Sequence, residues 1–182
     1  RPAGARRAHL AVTAGAARNL TVPMASLAEL ARYHTALDLR SIGHLQRLTS
    51  GWGLLSDLCF ADLLLFAPVR DAEDGERMIV LGQVRPSTSQ TVHRADWVGR
   101  EVTAEERPLV VRAYQLGEII EGEAAISELK EQVRVQCIPV RCQGRVVGVI
   151  TRESAPSFGR QPGELERTYV AIFNRFARMI AA

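Results

Sequence analysis

Val133, Val135 and Cys137 alternate with Arg134 and Gln136, Ile138-Pro139-Val140 follows, and beyond Gln143-Gly144 an apolar stretch returns from Val146 to Ile150. A two-residue period on both sides of a tight turn predicts an antiparallel hairpin, and this segment most limits what the chain can fold into. Pro139 cannot donate to a sheet ladder, so a bulge or an unpaired edge is expected there. A second hairpin is predicted upstream. Leu63, Leu64, Leu65, Phe66 and Val69 form a run suited to a buried central strand, Asp71 to Glu76 is a polar turn, and Met78, Ile79, Val80, Leu81 and Val84 return. Arg85-Pro86-Ser87-Thr88-Ser89 ends that second strand.

Helical patterns bracket the hairpins. Ser26 and Glu29 have the spacing of a capping box, which predicts a short helix to about Tyr33. Asp38 is placed to cap a second helix, with Ile42, Leu45, Leu48, Trp52 and Leu55 at three- and four-residue steps and with Gly51 and Gly53 marking a kink or a tight contact near its end. From Pro162 to Ala182 an amphipathic helix is expected, with Leu165, Tyr169, Ile172, Phe173, Phe176 and Ile180 on one face. The middle of the chain is less regular. A turn is expected at Asp96 to Arg100, a helix from Glu105 to Gln115 with Pro108 in its first turn, and loop or extended structure over 117–126. Antiparallel strands with helices collected on one side make an α+β fold.

Charge and cysteine content exclude several function classes. The net charge is +3, but residues 1–23 hold four arginines and no acid. Without them 19 basic residues face 20 acidic ones, so the basicity belongs to an arm and the domain offers no phosphate-tracking face. We read 1–23 as a disordered basic arm, with Met24 a candidate native start and residues 24–182 as the domain. A nucleic-acid partner is not expected. No segment approaches the roughly 20 apolar residues that span a bilayer, and residues 8–17 are too weakly hydrophobic for an export signal. Three irregularly spaced cysteines fit a cytoplasmic chain.

The motifs are more specific. Trp52-Gly53-Leu54-Leu55-Ser56-Asp57-Leu58-Cys59-Phe60-Ala61-Asp62 resembles the W-x-L-L-A-D-L-S-F-A-D signature of actinobacterial PdtaS-type sensor histidine kinases. The likeness continues in Gln83-Val84-Arg85-Pro86-Ser87-Thr88, Thr91-Val92-His93, Pro139-Val140-Arg141 and Val147-Gly148-Val149-Ile150-Thr151-Arg152, and covers almost everything from Met24 onward. The resemblance implies a GAF/PAS-like antiparallel sheet with flanking N- and C-terminal helices, serving as the sensory input of a cytosolic two-component kinase. Autophosphorylation, ATP and Mg would then belong to further domains of a parent protein. The partner would be a response regulator with an RNA-binding antiterminator output. Neither a phosphoacceptor box nor an ATP-lid glycine motif occurs in the chain, so no catalysis, catalytic residue or cofactor is expected of it. Cys59 stands where the signature has serine, which argues against a family-wide role for that thiol.

The segment from Gln83 to Trp97 is the expected place for a ligand. Arg85, His93 and Arg94 can meet an anion and Trp97 can cover it, or all four can belong to an ordinary solvated loop. Cys137 and Cys142 can hold a metal or sense oxidation, or can be core thiols. Asp57 and Asp62 are expected to cap the corner at Leu58 to Ala61. The seams at Ile42, Leu45 and Trp52 and at Leu165, Tyr169, Phe173, Phe176 and Ile180 fit either a homodimer or cover for the domain's own sheet. Two other functions compete: a stand-alone small-molecule-binding or dimerisation module, and a GAF-fold redox enzyme. The sensed ligand stays open among cyclic nucleotide, metal, redox agent and none.

Overall fold

The run Asp62–Pro68 is strand β1, and its apolar side chains from Leu63 to Ala67 are buried on both faces because strands and cover lie on every side of it. The structure, a computed structural model, describes residues 25–72, 75–87, 91–126, 131–155 and 163–182. The arm 1–23, Met24, Thr88, Ser89 and Pro162 lie outside the described residues, as do Glu73 and Asp74 of the expected polar turn.

β1 pairs antiparallel with β2 (Arg77–Val84), whose outer neighbour is β3 (Glu101–Thr103). On its other side β1 pairs with β6 (Arg145–Ser154), which pairs with β5 (Glu131–Cys142), and β5 with β4 (Ile120–Ile126). The order is β3-β2-β1-β6-β5-β4. Gln143 and Gly144 join β5 to β6 with φ of 53° and 77°, the doubly left-handed turn that matches strand twist. Pro139 lies beyond the last β4 partner, Cys137, so its missing N–H costs no ladder bond on that side. The register shift falls just after it, between Val140 and Arg141.

Period-two alternation sorts the core into two layers. Leu63, Leu65, Ile79, Leu81, Ile138, Val140 and Ile150 meet α1 (Leu27–His34), α2 (Leu39–Thr49), α3 (Trp52–Cys59) and α5 (Glu164–Ala181). Leu64, Phe66, Met78, Val80, Val135, Cys137 and Val149 meet α4 (Pro108–Leu116) with Val92 and Trp97. The expectation of helices on one side is therefore corrected: β1 is apolar on both faces, and α4 with the 91–100 loop covers the second.

The first two helices start at the expected caps. Glu29 N donates to Ser26 Oγ at 3.3 Å while Ser26 N donates to Glu29 Oε2 at 2.7 Å, and Asp38 accepts from Ser41 N at 2.7 Å. Other boundaries differ. The expected helix through Leu55 is two helices, parted at Ser50 and Gly51, where the glycine leaves the helical region at ψ 7°. α4 starts at Pro108 and not at Glu105, because a residue preceding proline is barred from the helical region and Arg107 sits at φ −136°, ψ 59°. Of the segment expected as loop and extended structure, residues 120–126 are a sheet strand, paired along their length to β5.

The helix seams cover the domain's own sheet. Ile42, Leu45 and Phe173 are buried in the first layer, with Trp52 and Ile180 packed against it. The Trp52 ring lies where a side chain at Gly82 would begin, 3.0 Å from an ideal Cβ, and Tyr169 stacks on Phe60 at 6.4 Å. Of the two alternatives for these positions, packing on the domain's own sheet is the one the structure displays. Leu165 and Phe176 are exposed, and with Ile172 and Met179 they form a separate apolar stripe on α5. Arg141 fastens the end of α5: its guanidinium donates to the carbonyls of Ala181 (2.9 Å), Gly117 (3.0 Å) and Gly144 (3.2 Å).

Candidate functional site

Two carboxylates anchor the connection that leaves β2. Asp62 is wholly buried at the start of β1 and accepts from Val92 N (2.5 Å), His93 N (2.9 Å) and Thr91 Oγ1 (2.9 Å). Asp57, on α3, accepts from Ser87 N at 2.6 Å and from Ser87 Oγ at 2.9 Å. The expectation that both cap the local corner is corrected. A charged acceptor satisfies backbone donors strongly, and these two bind a segment about thirty residues downstream. Ser56 Oγ serves the corner instead, donating to Ala61 O at 2.7 Å.

The rest of the loop is drawn over the sheet. Arg85 donates to the carbonyls of His93 (2.7 Å) and Ala95 (2.6 Å), and Gln83 Oε1 accepts from Trp97 N at 2.8 Å. Gly99 N donates to Val80 O, and Val80 N to Arg100 O. Held at both ends, the loop turns His93 and Trp97 inward, 2% and 4% exposed. Arg94 stays exposed.

Inside, the side chains meet a buried carboxylate. Glu153 on β6 is wholly buried; Oε2 lies 2.6 Å from His93 Nε2, and Oε1 accepts from Arg107 Nη1 and Thr151 Oγ1, both at 2.8 Å. Burial pushes the Glu153 carboxyl upward, but the His93 hydrogen bond and the Arg107 charge outweigh it and hold the group below the ordinary value of 4.5. An ionised carboxylate only accepts, so His93 Nε2 carries a proton. Trp97 closes the cluster. Its ring centroid is 5.0 Å from that of His93, in an edge-on arrangement, 4.6 Å from the Arg107 guanidinium and 4.2 Å from that of Arg100. Arg107 Nη2 is buried without a hydrogen-bond partner among the described residues.

Of the expected ligand residues, the structure therefore brings His93 and Trp97 together, uses Arg85 to hold loop carbonyls, and leaves Arg94 at the surface. Sequence reasoning gave Asp62 only a local role at the corner and missed Arg107 and Glu153. The cysteine pair is corrected. Cys137 lies in the α4 layer and Cys142 in the opposite one, because five residues along a strand reverse the facing side, so the two thiols cannot converge on one ion. Burial, reinforced by the Glu153 charge, pushes the Cys137 thiol up to about 12, and burial pushes Cys59 up to about 11. Among the described residues no group of three His, Cys, Asp or Glu side chains is placed to hold a metal ion.

The family model of the histidine kinase PdtaS GAF domain matches residues 27–172. This chain belongs to the PdtaS GAF domains. It is 33% identical over 161 residues to the sensor histidine kinase PdtaS of Mycolicibacterium smegmatis, covering 87% of this chain and 32% of that protein. To the PdtaS of Mycobacterium tuberculosis (strain CDC 1551 / Oshkosh) it is 32% identical over 163 residues, with the same coverage. The chain thus spans about a third of the length of these relatives. A solved sensor region of a sensor histidine kinase superposes with a TM-score of 0.71 at 34% identity, over 87% of this chain and 53% of the other. The α+β sheet with its flanking helices is the GAF fold, and the matched part of the PdtaS relatives is their GAF sensor region.

Proposed function

We propose that this chain is the signal-receiving module of a cytosolic two-component kinase, and that the His93–Glu153–Arg107 cluster beneath Trp97 is where the signal is read. One observation carries this reading: neighbouring residues on β6 serve opposite faces. Glu153 holds the cluster, while the Arg152 guanidinium lies 5.9 Å from the Phe173 ring of α5 and donates to Cys59 O of α3 at 2.9 Å. A displacement of β6 at the cluster is therefore felt at α5, which leads toward any domain attached beyond it in a longer chain. A two-state packing of that helix can bias the geometry of attached kinase domains.

The same reading assigns ATP, Mg and phosphotransfer to such domains, with a response regulator of RNA-binding antiterminator output as their partner. This chain itself carries no catalysis, no cofactor and no direct nucleic-acid or membrane contact. Among the described residues no helix is long and apolar enough to cross a membrane, which is compatible with a cytosolic place. The α5 stripe at Leu165, Ile172, Phe176 and Met179 favours a homodimer, since its seven-residue spacing suits a second helix. The test is autophosphorylation of the longer protein. Trp97→Ala is expected to shift its rate by severalfold while ATP affinity holds; an unchanged rate in a folded variant rejects the sensory role of this cluster.

A further inference from the structure

The position over Glu153 is occupied by the chain's own indole, and the surroundings describe what else can occupy it. Trp97 is flanked by two cations, Arg100 and Arg107, at 4.2 and 4.6 Å from its centroid, with the His93 ring edge-on. Such contacts reward a flat π face and give little to an aliphatic group. Beside it the Arg107 guanidinium, 4% exposed, has Nη1 committed to Glu153 while Nη2 meets no acceptor among the described residues. A buried charged donor left unpaired is costly, and a group bringing an acceptor to it gains what the indole cannot supply.

We propose that this position receives a small planar aromatic carboxylate, whose ring takes over the cation contacts of Trp97 and whose carboxylate accepts from Arg107 Nη2. The proposal rests on the sensory reading and names the ligand class for the same cluster. Exchange requires only the tip of the loop to move. Residues 91–93 remain tied to Asp62, and Gly99 and Arg100 remain laddered to Val80. The stretch between them is the part that opens: its Trp97 N–H bond to Gln83 and its Ala95 carbonyl bonds to Arg85 and Gln83 are side-chain contacts, and the backbone bond from Arg100 N to Trp97 O closes a local turn without tying the tip to the sheet. Ligand entry thus converts a closed tip into an open one directly above the carboxylate that β6 shares with the helix layer.

Isothermal titration calorimetry on the 182-residue chain tests this with benzoate, indole-3-carboxylate, benzamide and acetate. Both aromatic carboxylates are expected to bind one to one, benzamide about tenfold more weakly or worse for want of a charged acceptor, and acetate more weakly still. Trp97→Ala, with no indole to displace, is expected to bind the aromatic carboxylates more tightly and to keep the preference over benzamide. Comparing acid with amide needs no substitution, so it holds even if Arg107→Met fails to fold. The proposal is overturned if neither aromatic carboxylate binds the wild type or Trp97→Ala, or if benzamide or acetate matches benzoate. Its failure is separable from that of the sensory reading. Absent binding with a Trp97→Ala effect on autophosphorylation removes only the ligand class, whereas binding without any effect on autophosphorylation supports the ligand and removes the sensory role.

Discussion

Glu153 concentrates the electrostatics of the molecule in one side chain. Glu153→Gln keeps the shape but leaves the Arg107 charge buried without its counterion, a change expected to cost about 3 kcal/mol in urea unfolding. The pH dependence has a definite sign. The folded carboxyl is held below the unfolded value, so its stabilisation is fully present above about pH 4.5 and is lost as pH falls through the folded value. The gap in Tm between wild type and Glu153→Gln should therefore shrink on acidification below that point; a gap that widens there contradicts the ion pair. Thiol chemistry gives a second prediction at this scale. With Cys137 raised to about 12 and Cys59 to about 11, these two thiols should resist iodoacetamide at pH 8 in the native protein and react only in denaturant, as peptide mapping of the alkylated sites would read. The sequence did hold one sign of the cluster. Val149, Thr151 and Glu153 step onto the same strand face, so an acid falls in phase with an apolar row. Arg107 carried no such sign, because it becomes buried only when α4 crosses the sheet.

Among the elements, the hairpins were legible because they are local: alternation, turn residues and caps all act within a dozen positions. The expected helix at Glu105 to Gln115 is α4 with a later start, set locally by Pro108, whereas the place of α4 over the sheet and the strand pairing of β4 are not written in their own segments. β4 pairs with its sequence neighbour β5, but Glu121 to Ala125 are acidic or small residues without apolar alternation, so nothing in its own pattern marks the strand. α4 takes its side of the sheet from the second face of β1, which is distant in sequence. The two glycines of the last hairpin separate local from long-range demands. At Gly144 an added Cβ meets open space and only the left-handed φ of 77° opposes it, so Gly144→Ala should cost about 1 kcal/mol. At Gly148 the Cβ would stand 2.6 Å from the Phe66 carbonyl oxygen, a backbone atom of the central strand that cannot step aside. Gly148→Ala should therefore cost about 2 kcal/mol or more, by the same denaturant measurement, since β6 must part from β1. Equal effects at the two sites would contradict this packing.

At the scale of the whole molecule, the seams that suited either a second subunit or the domain's own sheet are mostly spent on the sheet. The row Leu165, Ile172, Phe176 and Met179 remains outside, and it supports the proposed homodimer. Leu165→Glu with Met179→Glu should shift the light-scattering mass toward monomer while Tm of the monomeric unit changes little, because neither side chain enters the core; an unchanged mass places any dimer contact elsewhere. A helix touching its own sheet on one side and a partner on another cannot serve both from a single stripe, and the single periodicity in the sequence conceals that division.

The three carbonyls gathered by Arg141 fix how such a helix can move. They come from the last turn of α5, the end of α4 and the β5–β6 turn, so the far end of α5 is riveted to both layers of the domain. A rod held at its outlet cannot slide lengthwise like a piston. It can twist or tilt about that fulcrum, so under the proposed sensory reading the motion passed to an attached domain is torque in preference to thrust.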